Sequence, residues 1–254
     1  MLLKRIIPTL ILKNEELIHR QNFDRNTERY VGDPINTINV YNQYLVDEVI
    51  ILDIENSKFK KPINFNLLKD IAGEAFFPLT YGGGITNVED AQKIISIGYE
   101  KISINNSFFI NENLICELSK VIGAQSIVVS VDVIRHNNKY YLFDYLENSL
   151  RKIELNEFLH KLKDFNFGEL MITSVDLDGT MNGCDLNIIS ETVKIVGVPV
   201  IYKGGLSSLN EIQVLFKKGV SAVASSTYFI MKKKGGGIVL NYLSTNEKTK
   251  YENL

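Results

Sequence analysis

Short apolar runs ending in aspartate, glycine or asparagine recur in the same order in both halves of this chain, and a repeat of that kind admits few folds. Ile51-Leu52-Asp53, Tyr81-Gly82-Gly83-Gly84 and Ile102-Ser103-Ile104-Asn105-Asn106-Ser107 are answered by Ser174-Val175-Asp176, Lys203-Gly204-Gly205 and Ala224-Ser225-Ser226. The steps agree to one position: Asp53 to Gly83 is 30 residues against 29 from Asp176 to Gly205, and Gly83 to Asn105 is 22 against 21 from Gly205 to Ser226. Glycines that follow strand-like runs at matched spacing point to a duplicated half-barrel with an anion-binding turn in each half. Two such turns facing one cavity suit a ligand with a phosphate at each end.

A length of 254 residues fits one (β/α)8 TIM barrel without a second domain. The expected half-barrels run over about 1–122 and 123–245, with a flexible tail at 246–254. Alternating β-branched runs and amphipathic stretches give eight strands: Arg5–Ile11, Glu48–Asp53, Phe76–Thr80, Lys101–Asn105, Ile127–Val133, Glu169–Ser174, Val198–Lys203 and Ser221–Ser225. Helices are read at Pro34–Tyr44, Val88–Ile97, Glu112–Val121, Leu155–Leu162, Leu186–Ile195 and Leu209–Lys217, with start signals at Asn87, Asn111 and Ser208 with Glu211. Two stretches exceed a minimal repeat. Lys13–Asp33 is a long polar segment of the kind that forms lids, and Arg135–Phe143 reads as a hairpin turning at Asn137-Asn138. Both follow the C-terminal ends of strands, the face on which barrel enzymes build their sites.

A net charge of −2 provides no basic field for nucleic acid, and no apolar run reaches the roughly 20 residues of a membrane span. The setting is read as cytoplasmic, with Cys116 and Cys184 as free thiols. His19, His136 and His160 lack metal-ligand spacing, so neither metal nor cofactor is expected.

Asp132 ends the run Ile127–Val131 and points to the barrel mouth, where a carboxylate serves as a general acid or base. Overlaying Ile6–Ile11 on Ile127–Asp132, an offset of 121, puts Ile11 opposite Asp132. A mechanism with one carboxylate from each half therefore lacks its first member.

The blocks Lys4–Pro8, Leu79–Ile85, Lys101–Asn105 and Thr173–Thr180, with similarity from residue 1 to about Phe229, resemble the cyclase subunit of imidazole glycerol phosphate synthase. The resemblance implies a glutaminase partner on the N-terminal barrel face and ammonia passing through the barrel. It also implies a doubly phosphorylated ligand on the C-terminal face. Carried over, Gly83, Gly84, Asn105 and Asn106 hold one phosphate, and Asp178, Gly179, Gly205, Ser225 and Ser226 hold the other. Asp132 matches one catalytic aspartate; the second falls on Ile11, and the lysine of the family's mobile first loop falls on His19, which becomes a candidate catalytic residue. Arg5, Glu48, Lys101 and Glu169 match the charged ring at the ammonia entrance. The expectation is a divergent relative that keeps the glutaminase and the ammonia route but has altered chemistry, with ammonia passed to a third enzyme that makes an amidino sugar of a surface glycan. The alternatives are an ordinary cyclase of histidine biosynthesis and a sugar-phosphate isomerase of the sister barrel.

Overall fold

The computed structural model describes residues 3–59 and 61–252. The strands are β1 (Arg5–Lys13), β2 (Glu16–Gln21), β3 (Asp24–Gly32), β4 (Val49–Asp53), β5 (Leu79–Gly82), β6 (Lys101–Ile104), β7 (Ile127–His136), β8 (Lys139–Asp144), β9 (Ser149–Glu154), β10 (Glu169–Ser174), β11 (Val200–Lys203) and β12 (Ala222–Ser225). Eight of them, β1, β4, β5, β6, β7, β10, β11 and β12, pair in parallel in that order, and β12 returns to β1. The sheet is therefore a closed eight-stranded barrel. Ile7, Ile50, Val128, Met171, Ile201, Ala222 and Ala224 fill its interior, while a larger apolar layer packs the helices against its outside. Among the described residues no helix is long and apolar enough to cross a membrane.

β5 and β11 start two to three residues later than their patterns predict, because Pro78 and Pro199 stand just before them and carry no N–H for a ladder. Five of the six expected helices have the bounds read from sequence, and the sixth runs over Asn113–Val121. Asn87 caps its helix by accepting from the Asp90 N–H at 2.8 Å. The tail carries a helix, Thr245–Glu252, and Tyr251 is buried, its hydroxyl donating to the Leu209 carbonyl. Residues 253 and 254 of the expected tail lie outside the described residues.

The two-fold repeat has a constant offset of 121, which corrects the pairing of motifs read from sequence. Gly83 and Gly204 share φ near +125° (129° and 123°), and Gly84 and Gly205 share φ of 70° and 76°. A Cβ on Gly83 would meet the Asp53 carbonyl at 2.2 Å, and one on Gly204 the Ser174 carbonyl at 2.7 Å. The structural partner of Asp53 is therefore Ser174; Asp176 lies two residues further on and accepts from the Arg135 N–H.

Both insertions are ordered. The polar segment after β1 folds as the antiparallel hairpin β2–β3. After β7 the chain turns at Asn137 and Asn138, both with positive φ, and β8 and β9 extend the sheet.

Candidate functional site

At the N-terminal end of the barrel four charges close a ring. Arg5 reaches Glu48 at 2.5 Å and Glu169 at 2.8 Å; Lys101 reaches the same two glutamates at 2.9 and 3.6 Å. Thr80 donates to the other Glu48 oxygen at 2.8 Å. Burial works against the Arg5 charge, but the two glutamates prevail and hold its pKa above the ordinary value. All four residues named from the sequence thus share one network, and Glu48 and Glu169 are related by the 121-residue offset.

At the C-terminal end lies an open mouth lined by residues of both half-barrels. Asp132 is buried in its wall and accepts from the Asn105 side-chain amide at 2.8 Å. Burial pushes Asp132 up to about 6, against the opposing pull of the Lys203 ammonium and the Asn105 hydrogen bond. A carboxyl titrating there exchanges protons near neutrality. Ile11 lines the same mouth and can exchange none.

The two proposed anion cradles differ. Gly83, Gly84, Asn105 and Asn106 all line the mouth. Asn106 is oriented from behind: Arg151, on β9, donates to its side-chain oxygen at 3.0 Å and pairs with Asp144 at 2.5 Å. Of the second set only Asp178 and Ser226 line the mouth. Gly179 is covered by the lid, since a Cβ there would meet the Arg20 carbonyl at 2.1 Å, and Gly205 is packed on the Gly183 carbonyl. Ser225 accepts from the Tyr228 N–H.

The β2–β3 hairpin is that lid. The Asn22 N–H donates to the Asp178 carbonyl at 2.8 Å, and Phe23 packs edge-on against Phe143 and Tyr145. Arg20 bridges Glu28 and the Tyr145 hydroxyl. His19, carried on β2, is buried with Nε2 2.9 Å from the Thr227 hydroxyl, and burial lowers its pKa. The structure thus places His19 where the lid docks, outside the residues that line the cavity.

Sequence reasoning gave no role to Phe23 and Tyr145, both in the mouth wall. It read Lys203, in the same wall, as the residue that ends a strand before Gly204, and the ion pair of Lys203 with Asp178 at 2.7 Å required the fold. Phe23 and Tyr145 come from the two insertions, so their meeting was not readable from either stretch alone.

A family profile described as "Histidine biosynthesis protein" matches residues 5–233. A relative from Pseudomonas aeruginosa, provisionally named imidazole glycerol phosphate synthase subunit hisF2, is 36% identical over 97% of this chain and 98% of its own length. A provisionally named hisF2 from Campylobacter jejuni is 38% identical over 92% of each chain. Imidazole glycerol phosphate synthase subunit HisF of Petrotoga mobilis is 35% identical over 90% of this chain and 91% of its own.

Proposed function

The chain belongs to the histidine biosynthesis protein family, among the cyclase subunits of imidazole glycerol phosphate synthase, and from that premise we propose that it keeps the ammonia-handling half of the family's task while its mouth performs altered chemistry. A glutaminase docks at the N-terminal face, and ammonia enters at the ring of Arg5, Glu48, Lys101 and Glu169. It then follows the barrel axis upward. The observation that carries this reading is the contrast between the barrel's ends: four ring charges in one closed network, and a mouth in which the two-fold partner of Asp132 is Ile11 and not a second carboxylate.

Between the two ends the interior is packed with apolar side chains, Ile7, Ile50, Val128, Met171, Ile201, Ala222 and Ala224, and Ser103, Ser130 and Thr173 line the mouth above them. An apolar interior favours neutral ammonia over the ammonium ion. By fold-level analogy, the ammonia is handed to a separate enzyme that forms the amidino group of a surface sugar. The phosphate-binding roles of Gly83, Gly84, Asn105 and Asn106, and of Asp178, Gly179, Gly205, Ser225 and Ser226, are part of the same proposal.

A second reading, a working cyclase of histidine biosynthesis, is favoured by the burial of Asp132 and its titration near 6. Ammonia-dependent turnover of the doubly phosphorylated ribulosyl substrate separates the two. A rate close to that of ordinary cyclases removes the first reading; loss of at least about 10²-fold, the scale of one missing acid–base group, supports it. Affinity capture from the native host adds the partner: a glutaminase together with a third enzyme on the upper face is the expected result.

A further inference from the structure

Asp132, Thr173 and Lys203 stand abreast on β7, β10 and β11, each in register with the next, and all three line the mouth. Their two-fold partners are Ile11, Leu52 and Gly82, which register with one another in the same way on β1, β4 and β5 and also line the mouth. One half of the barrel therefore presents an apolar row. The other presents an acid, a hydroxyl and an amine.

Lys203 is 1% exposed. Its ammonium is paired with Asp178 at 2.7 Å and lies 5.7 Å from the ring centre of Phe23 in the lid. Burying an ammonium carries a solvation penalty even when it is paired, and half one manages the same position with a glycine. An amine sunk in a lidded pocket beside a carboxyl is the arrangement by which lysines attack carbonyl carbons.

We propose that Lys203 forms an imine with the carbonyl of a phosphorylated open-chain sugar whose phosphate rests on Gly83, Gly84 and Asn106, and that Asp132 carries the protons. The ammonium first passes a proton to Asp178. Its freed lone pair adds to the carbonyl carbon while the C=O π pair moves to oxygen, and a proton shifts from nitrogen to that oxygen to give the carbinolamine. Asp132 then protonates the hydroxyl, which leaves as water as the nitrogen lone pair closes the C=N bond. The proton held by Asp178 returns to Asp132. The net change is ammonium plus carbonyl to protonated imine plus water, with no oxidant or reductant. Titration of Asp132 near 6 keeps a proton at hand for the dehydration step. This chemistry rests on the proposed phosphate-binding role of Gly83, Gly84 and Asn106 but requires neither glutaminase nor ammonia, so it and the ammonia reading can fail separately.

The test incubates the purified full-length chain with ribulose 5-phosphate and sodium cyanoborohydride, which reduces a protonated imine to a stable amine, and locates modified lysines by peptide mass mapping. Lys203 is expected to be labelled at least about tenfold faster than the exposed Lys232 and Lys233. Inorganic phosphate should suppress that label, and D132N should slow it by about 10²-fold. K203R, which keeps the charge opposite Asp178, should fold with an unchanged circular dichroism spectrum and take no label at this position. Labelling of Lys203 no faster than of Lys232 and Lys233 overturns the proposal, as does an equal rate with unphosphorylated ribulose.

Discussion

Ile11 is half-buried on the mouth wall, so a carboxylate placed there can be solvated and can face Asp132 across the cavity. If the missing acid–base group alone limits cyclase chemistry, I11D should raise ammonia-dependent turnover of the ribulosyl substrate by about 10²-fold. Steady-state kinetics with an ammonium salt measures it, and an unchanged rate would mean that Lys203 has reshaped the site as well. Asp132 offers a second test. An acid whose folded pKa is about 6, against roughly 3.9 unfolded, stabilises the fold below pH 4, and this contribution is lost as pH rises through 6. D132N has no charge to bury. Its stability relative to wild type should therefore grow between pH 4 and pH 7 by about 2 kcal/mol, and urea denaturation showing a constant gap would contradict this. At this scale the sequence was readable where one residue ends an apolar run, as Asp132 does. Lys203 was not, because its importance comes from standing beside Thr173 and Asp132 on strands about 30 and 70 residues apart.

The lid hairpin β2–β3 rests on Gly179, whose φ of +79° and contact with the Arg20 carbonyl leave no room for a side chain. G179A should lift the hairpin from the Asp178–Thr180 turn, with a loss of about 1–3 kcal/mol from the strained backbone. Hydrogen exchange at Arg20–Phe23 should rise while the barrel strands stay protected; protection unchanged across the hairpin would show that the lid is anchored elsewhere. Helix N87A should cost about 1 kcal/mol by loss of the Asp90 N–H acceptor, measured as a shift in thermal midpoint. Caps and turns such as Asn87 and Asn137-Asn138 were legible because their hydrogen bonds are local. The hairpin was not, because Asp24-Arg25-Asn26-Thr27-Glu28-Arg29 is polar throughout and gains its strand partner from β2, and the hairpin is seated through Asn22 on the Asp178 turn.

For the molecule as a whole the ring at the barrel base ties four strands together through side chains that are largely hidden from water. Removing Glu48, which is 1% exposed and serves Arg5, Lys101 and Thr80, leaves two cations without their nearest carboxylate. E48A should cost about 3–5 kcal/mol, read by chemical denaturation. If the ring also meters ammonia, the milder E48Q should alter glutamine-dependent flux while leaving flux from added ammonium in place, and equal effects on both would reduce the ring to a structural role. What the sequence determined by itself was periodic: eight strands, their helices, a repeat in two halves and an isoleucine at position 11 opposite Asp132, all carried by spacing along the chain. What only the tertiary structure decided was adjacency: the pairing of Asp53 with Ser174 and Gly83 with Gly204 at the same offset as Ile11 and Asp132, the row of Asp132, Thr173 and Lys203, and the lid laid over Gly179. These depend on strand register and barrel closure, which bring together residues that the chain itself keeps far apart.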